Sequence, residues 1–373
     1  MQITVNTLSV TDEDEGIRTM IRGLVAALVR HDDENSYRLV CSQANAALFE
    51  AVAGQVEMVI VPGTRRWPLL RIWHDQFTVP RLVRHGTDLL LTPSSVGSLV
   101  TPVPQVVMMV AHLALPSVRR ELGGEPLSAA HRLYYGPVMQ ASHRRATAVV
   151  AISEFLADRL VAENGLCAAK VRAIPCGIDG PFDHSPRRDG GHVLFVSTLY
   201  PYKNPSLVVD AIAVARQRGT SLRAVIAGRD PDGAQLPALQ RRAAERGIED
   251  LVAFPGKVSD EELERLYREA AVVAFPSRAE GFGFVPLEAM ARGVPVVVAD
   301  RTSLPEVVGD AGLLVEPDDA AGLADALLRV TSDPDLRRRL RTAGSRRAAE
   351  LSWDRAAHSF LKLFGDLAGP ARG

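Results

Sequence analysis

Short apolar runs alternate with longer amphipathic stretches along most of the chain. In the first half, this pattern predicts strands at 1–5, 37–41, 58–61, 87–92, 104–110, 148–151 and 171–175, and helices at 16–30, 128–145 and 153–164. Strands that alternate with helices are typical of βαβ units, whose strands run parallel. Residues 1–180 are therefore predicted to form a Rossmann-like α/β domain.

The stretch 176–191 interrupts this pattern because it is rich in glycine, proline and charge, and we assign 181–191 as a linker. The alternation then resumes, with strands predicted at 192–197, 222–228, 251–256, 271–277 and 294–300, and helices at 205–218, 236–246, 260–269 and 285–292. Apolar runs such as VPVVVA suit a parallel sheet covered on both faces. The chain is thus predicted to be an α/β protein with two doubly wound parallel-sheet domains, the second at 192–352.

Length and composition agree with this division and narrow the function. A chain of 373 residues is too long for one ordinary core, and its net charge of -1 gives no reason to expect nucleic acid as a partner. The cysteines Cys41, Cys167 and Cys176 lack CxxC spacing, so we expect neither a zinc site nor a disulfide framework. No apolar run approaches the roughly 18 residues of a membrane span, and the N-terminus lacks the features of a signal peptide. These observations predict a cytoplasmic protein.

The segment 277–300, SRAEGFGFVPLEAMARGVPVVVAD, follows a predicted strand. In open α/β sheets, ligands bind beyond the carboxyl ends of the strands. Gly281 and Gly283 permit close approach of the backbone to a ligand. Pro286 suits the first turn of the next helix, and the N-terminus of that helix offers N–H groups to an anion.

Two acids, Glu280 and Glu288, flank these backbone donors, and Glu288 is expected in the first helical turn. Amide donors together with two carboxylates match a nucleotide sugar, which carries a diphosphate as well as ribose and hexose hydroxyls. However, a glutamate in a first turn is stabilised by the helix dipole without any ligand. The spacing alone therefore leaves both explanations open.

The run EGFGFVPLE, followed by AMARGVPVVVAD, resembles the acidic E-x7-E motif of the retaining GT-B glycosyltransferases of family four. Other segments resemble the family in the same order: VVAISEFLADRL (149–160), IPCGID (174–179), FVSTLYPYKNPSLVVDA (195–211), FPGKVSDEELERLYREA (254–270) and PEVVGDAGLLVEPDDAAGLADAL (305–327). The resemblance covers nearly the whole chain and is more specific in the second half. It implies a GT-B fold with two Rossmann-like domains facing across a cleft. It also implies that a final helix at 353–369 packs back on the first domain.

The resemblance implies roles for individual residues. Glu280 would contact the donor sugar, Glu288 the ribose hydroxyls, and Lys203 the diphosphate, where a compact ammonium suits a leaving phosphate. The implied donor site also contains the backbone of Gly16, Gly281, Phe282, Gly283, Phe284, Val285 and Leu287, and the base-packing segment Lys257 and Val258. His112, Lys203 and Glu280 are the candidate catalytic residues.

Two positions depart from the family pattern. Thr198 stands where the family usually has an arginine as a second phosphate cation, and our hypothesis is that Arg229 supplies the missing charge. His112 is followed by Leu113, whereas the family's histidine is followed by Asp or Asn, and the alignment slips by one residue. A structural role for His112 therefore stays an alternative.

Acidic pairs with D-x-D spacing occur at 12–14, 230–232 and 333–335. The third opens a predicted helix, where such acids act as caps. No metal is expected, because Lys203 and a helix N-terminus can balance the diphosphate charge. For the Arg- and Trp-rich segment 65–77, we favour an acceptor-side helix and loop over contact with a membrane surface.

The sequence therefore predicts a metal-independent retaining hexosyltransferase without a cofactor. Its donor would be a UDP- or GDP-sugar, and its acceptor a hydroxyl of a small molecule, lipid or glycan. Two alternatives remain open: a nucleotide-sugar epimerase of the same architecture, and a nucleotide-sugar-binding protein with weak catalysis. A nicotinamide dehydrogenase is disfavoured, because G-x-G-x-x-G follows the first strand of neither half.

Overall fold

The computed structural model describes residues 1–10, 15–62, 72–122, 136–179 and 191–368. Contacts between residues in space divide the chain into two compact units. One comprises Met1–Asp179 with Leu351–Gly373, and the other comprises Gly180–Glu350. The predicted linker, apart from Gly191, lies outside the described residues, as do the acidic pair at 12–14 and the first part of segment 65–77.

The first unit contains a seven-stranded sheet in which all neighbouring strands run parallel. Its strands are β1 (Gln2–Asn6), β2 (Ser36–Ser42), β3 (Glu57–Val61), β4 (Leu89–Thr92), β5 (Gln105–Met109), β6 (Ala148–Ala151) and β7 (Val171–Ala173). The order is β3-β2-β1-β4-β5-β6-β7, so the direction of strand addition reverses between β1 and β4. Every strand predicted in this half is present, with ends shifted by at most two residues.

Helices connect these parallel strands. In the described part of this unit they are α1 (Glu15–His31), α2 (Val79–Leu82), α3 (Pro116–Glu121), α4 (Gly136–Arg145) and α5 (Glu154–Asn164). Local sequence determines the ends of α5. The Ser153 hydroxyl caps it by accepting a hydrogen bond from the Leu156 amide at 3.2 Å. Gly165, with φ of 63°, ends it.

The second unit contains a six-stranded parallel sheet. Its strands are β8 (His192–Val196), β9 (Ala224–Ala227), β10 (Val252–Gly256), β11 (Ala270–Phe275), β12 (Val296–Ala299) and β13 (Gly312–Val315). The order is β10-β9-β8-β11-β12-β13, which corresponds to 3-2-1-4-5-6 when the strands are numbered within the unit. This is the strand order of a Rossmann fold.

Seven described helices surround this sheet: α6 (Pro205–Gln217), α7 (Gln235–Glu245), α8 (Asp260–Glu269), α9 (Phe284–Ala291), α10 (Leu304–Val308), α11 (Ala320–Ser332) and α12 (Pro334–Glu350). Apolar side chains of the strands and helices form a core cluster in which Phe195, Ile212 and Leu327 are fully buried. Strand β13 was not predicted, because its apolar run, GLLV, is only four residues long.

The last helix, α13 (Trp353–Ala368), belongs to the first unit, where it packs along α1. A Cβ atom on Gly23 of α1 would lie 2.2 Å from the indole Nε1 of Trp353, so only glycine leaves room for this ring. Arg30 donates to the Asp354 carboxylate at 3.0 Å. Residues Ile178 and Ser352 form a parallel bridge at the start of the helix. None of the described helices is long and apolar enough to cross a membrane.

Candidate active site at the switch point of the second sheet

The strand order of the second unit marks one place where a ligand is expected. Strands β8 and β11 are neighbours, and the chain leaves them toward opposite sides of the sheet order. Ligands of open α/β sheets bind beyond the carboxyl ends of the strands at such a switch point. The segment after β8 carries Lys203, and the segment after β11 carries Glu280.

Lys203 and Glu280 form an ion pair at this point. The Lys203 ammonium lies 2.6 and 2.8 Å from the two oxygens of the Glu280 carboxylate. The two side chains are only 14% and 9% exposed. Burial is the largest single influence and would lower the pKa of Lys203, but the charges of Glu280 and Tyr202 and the hydrogen bonds to them together raise it. Lys203 therefore carries a full positive charge at neutral pH.

Backbone geometry holds Lys203 in this position. The next residue, Asn204, adopts the left-handed conformation, with φ of 61° and ψ of 42°, and is almost completely buried. Its side-chain amide donates to the carbonyls of Pro276 and Pro317, at 3.3 and 2.6 Å. Asparagine is among the few residues that tolerate this conformation. Asn204 thus connects the segment of Lys203 to the segments that follow β11 and β13.

The glycine-rich turn after Glu280 leads directly into α9. Gly281 and Phe282 are buried, and Gly283 adopts φ of 131°, a conformation that favours glycine. Val285 occupies the second position of the helix, where an N–H group has no intrahelical acceptor. Leu287, in contrast, donates its N–H to the Gly283 carbonyl at 3.2 Å. The Leu287 amide therefore already has a backbone acceptor, and its place near the phosphates stays a prediction.

Glu288 does not lie in the first helical turn, so that prediction is wrong. The helix begins at Phe284, which makes Glu288 its fifth residue. Stabilisation by the helix dipole in a first turn therefore does not explain this acid. Tyr267 donates its hydroxyl to Glu288 Oε2 at 3.2 Å. Burial raises the pKa of Glu288, although the charge of Arg292 and the Tyr267 hydroxyl oppose the shift.

Thr198 and Arg229 lie side by side at the same edge of the sheet. The amide of Leu199 donates to the Arg229 carbonyl at 2.8 Å. Between the two segments, a Cβ on Gly228 would lie 1.6 Å from the Ser197 carbonyl oxygen, so glycine is required for this approach. The backbone therefore brings Arg229 next to the position where the family's arginine is missing.

Lys257 and Val258 follow β10 at the same carboxyl edge. Lys257 is exposed and Val258 is partly buried. The Gly256 carbonyl accepts from the Gly228 amide at 2.8 Å, which places this segment beside the one that carries Arg229. The carboxyl ends of β10, β9, β8 and β11 thus carry all predicted donor residues of the second unit except those of α9.

Gly16 and His112 belong to the first unit. Gly16 is the second residue of α1, and a Cβ placed on it would meet no atom within 4 Å. His112 begins a short 3-10 helix (His112–Ala114) just after β5 and is partly buried. The Ser95 hydroxyl accepts from the amides of Val110 and Ala111, at 3.0 and 2.9 Å, and so determines where His112 emerges.

The acidic pairs in the described residues have structural contacts. Asp333 caps α12 by accepting from the amides of Asp335 and Leu336, both at 2.9 Å, as predicted. Asp230 accepts from the Leu236 amide at 2.8 Å near the start of α7. Among the residues that the structure describes, no group of three or more His, Cys, Asp or Glu side chains could hold a metal ion.

Four residues of the site were not found from the sequence: Asn204, Tyr267, Thr302 and Ser303. The Asn-Pro dipeptide at 204–205 is a turn signal that could have identified Asn204. The other three act through contacts with residues more than 20 positions away. Periodicity carries no signal for such contacts.

The strand order and the charged groups at its switch point define a Rossmann-ordered α/β unit with a candidate ligand site. Comparison with known families is more specific. The model "Glycosyltransferase Family 4" matches residues 15–180, and the model "Glycosyl transferases group 1" matches residues 181–347. Together the two models span residues 15–347, and the chain belongs to the glycosyltransferases that they describe.

Several curated relatives share part of the sequence. A D-inositol 3-phosphate glycosyltransferase of Frankia alni is 39% identical over 192 residues, which cover 49% of this chain and 47% of the relative. An enzyme of the same name from Actinosynnema mirum is 34% identical over 236 residues, 58% of this chain and 57% of the relative. The chain thus spans about half the length of the curated relatives it matches.

Solved structures match the whole chain. The structure of HepE from Anabaena, in complex with UDP and glucose, has a TM-score of 0.75 at 19% identity and covers 98% of this chain and 99% of its own. A glycosyltransferase from Rickettsia africae has a TM-score of 0.74 at 14% identity, with 99% of both chains covered. At this identity the likeness shows the fold alone, and it confirms the predicted GT-B fold.

Proposed function

We propose that the protein transfers a hexosyl group from a nucleoside diphosphate sugar to an acceptor hydroxyl, with retention of the anomeric configuration. The observation that carries this proposal is the buried Lys203–Glu280 pair at the switch point of a Rossmann-ordered sheet. One site there combines a cation for a diphosphate with a carboxylate for sugar hydroxyls. The relative that binds UDP and glucose supports a nucleotide-sugar donor.

In this proposal, the residues of the second unit hold the donor. Lys203 binds the diphosphate and stabilises the charge that develops on the leaving phosphate. Arg229 supplies a second cation beside Thr198. Glu280 accepts hydrogen bonds from hydroxyls of the transferred sugar, and Glu288 accepts them from the ribose. The Val285 amide and the N-terminus of α9 contribute donors to the phosphates, and Lys257 and Val258 pack on the base.

The chemical step is a displacement on one face of the sugar. The glycosidic bond to the diphosphate breaks as the acceptor oxygen bonds to the same anomeric carbon, and the leaving phosphate takes the acceptor proton. No metal or cofactor takes part in this proposal. His112 is proposed as the histidine that the first unit contributes to the reaction.

The acceptor is proposed only as a hydroxyl compound. The curated relatives are named for D-inositol 3-phosphate, so inositol phosphates are the first acceptors to test. Lipid and glycan acceptors follow.

The test combines UDP-, GDP- and dTDP-hexoses with and without these acceptors. Release of nucleoside diphosphate that depends on the acceptor, with an unchanged anomeric configuration in the product, is the expected result. Conversion of the donor to another sugar without acceptor would instead identify an epimerase. Binding of donor without any release would identify a binding protein, and either outcome would overturn the proposal.

A further inference from the structure

A turn that leads from β12 into α10, residues 302–304, contacts the backbone of the loop Glu280–Gly283. The Glu280 amide donates to the Thr302 hydroxyl oxygen at 2.9 Å. The fully buried Ser303 hydroxyl lies 3.0 Å from the Glu280 carbonyl and 2.6 Å from the Phe282 carbonyl, and its one proton is shared between these two acceptors. A Cβ on Gly283 would lie 3.0 Å from the Leu304 side chain. The residues 302–304 therefore contact the loop from Glu280 to Gly283.

Thr302 makes its contact from a strained conformation. Among the described residues other than glycine, only Asn204 and Thr302 have positive φ, and the value for Thr302 is 51°. Asparagine tolerates this region, but a β-branched residue there is a genuine outlier. Such strain persists only where the surrounding structure enforces it, and it is concentrated at functional sites. Glycine would adopt the conformation without strain but would lack the hydroxyl that accepts from Glu280.

The contact bears directly on the charged pair. The Glu280 main chain is held at its amide by Thr302 and at its carbonyl by Ser303, so its side chain leaves the backbone from a determined position. From this position the carboxylate reaches the Lys203 ammonium. Without the Thr302 hydroxyl, the Glu280 amide would have to find another acceptor at a largely buried site.

We propose that Thr302 is a positioning residue for the sugar-binding glutamate, and that the chain keeps threonine at a strained position because its hydroxyl holds the Glu280 backbone. This inference rests on the proposed function of Glu280. The inference assigns different effects to two parts of the Thr302 side chain. The hydroxyl serves the donor site, and the β-branched carbon lowers the stability of the fold.

Three variants separate the two effects. Thr302→Ser keeps the hydroxyl, Thr302→Val keeps the β-branch, and Thr302→Gly removes both. We expect kcat/KM of the Ser variant to stay within about threefold of wild type, and kcat/KM of the Val and Gly variants to fall about 10- to 100-fold, as for small displacements of a catalytic group. The Gly variant is expected to unfold at or above the wild-type temperature, while the Val variant is not.

A merely structural role would make activity follow stability through the three variants. The exposed residue Thr220 provides the matched control, because Thr220→Gly makes the same substitution in a surface loop. A Thr302→Gly protein with wild-type kcat/KM would overturn the inference. So would a Val variant as active as the Ser variant.

Two readouts do not need turnover. Hydrogen exchange of the Glu280 amide should be faster in the Val and Gly variants than in wild type, and unchanged exchange would overturn the inference even if transfer is established. Affinity for the nucleotide sugar should fall in these variants, while affinity for the nucleoside diphosphate alone should not. If wild type transfers no sugar, the proposed function fails, and these two measurements still decide the role of Thr302.

Discussion

Neutralising Glu280 should strengthen the binding of a nucleoside diphosphate while it abolishes sugar transfer. Both oxygens of the Glu280 carboxylate lie within 2.8 Å of the Lys203 ammonium. A diphosphate that binds Lys203 must compete with this carboxylate. Glu280→Gln removes the negative charge but keeps the size of the side chain and one acceptor oxygen.

The magnitude follows from the geometry of the pair. A hydrogen bond to a charged group contributes about 1.5–3 kcal/mol net, and glutamine keeps part of it through its amide oxygen. We therefore expect the substitution to release about 1.4 kcal/mol of competition, which corresponds to about a tenfold lower Kd for the diphosphate. The sugar donor should not show this gain, because the variant also loses the carboxylate that receives the sugar hydroxyls.

Isothermal titration of wild type and Glu280→Gln with UDP and GDP measures the effect, together with turnover of the corresponding sugar donors. Glu269→Gln is the matched control, since Glu269 also pairs with a cation, Arg265, but on an exposed helix surface. A folded Glu280→Gln protein with unchanged or weaker affinity for the diphosphate would refute the reasoning. In that case Lys203 would not be the phosphate-binding cation.

Four further predictions address other residues. Arg229→Ala should weaken donor binding about tenfold through loss of a charge-assisted contact, whereas Arg223→Ala, at the opposite end of β9, should not; equal affinities in titration would exclude Arg229 as the second cation. The pKa of Glu288 is higher in the folded protein than its ordinary value of 4.5. The contribution of Glu288 to the free energy of unfolding is therefore fully present below pH 4.5 and is lost as pH rises through the folded-state pKa. Glu288→Gln should therefore raise the unfolding temperature near pH 7 more than near pH 4. Donor affinity should fall as pH drops through the raised pKa of Glu288. Tyr267→Phe should move the midpoint of this fall to higher pH, because the Tyr267 hydroxyl lowers the pKa of Glu288. A Kd for the donor that does not change with pH would contradict the predicted fall and the predicted shift of its midpoint. His112→Ala should lower kcat much more than it lowers the unfolding temperature, and a proportional loss of both would assign His112 a structural role.

The sheet of each unit was predictable because its strands carry a strong local signal. Buried parallel strands are continuous apolar runs, and β12 is fully buried along its whole length. Strand β13 was not predicted because its apolar run, GLLV, spans only four residues. Periodicity alone does not assign such a short apolar run to a strand.

The site was predictable in its residues but not in its geometry. Glu280 and Lys203 stand in recognisable motifs, yet their direct pairing depends on the strand order of the sheet. Glu288 was placed in the wrong turn, since the start of a helix is uncertain by a few residues in any sequence-based assignment. The hydrogen bond between the Glu280 amide and the Thr302 hydroxyl joins residues 22 positions apart, so it leaves no local pattern in the sequence.

The position of α13 has a consequence for the order in which the protein can fold during synthesis. The second unit is one continuous stretch, Gly180–Glu350, whereas the first unit needs both Met1–Asp179 and the residues that begin at Leu351. Domains generally fold as they emerge from the ribosome, the earlier ones first. Here the unit that is translated first must wait for Trp353 to fill the place beside Gly23. The later unit can therefore finish folding before the earlier one.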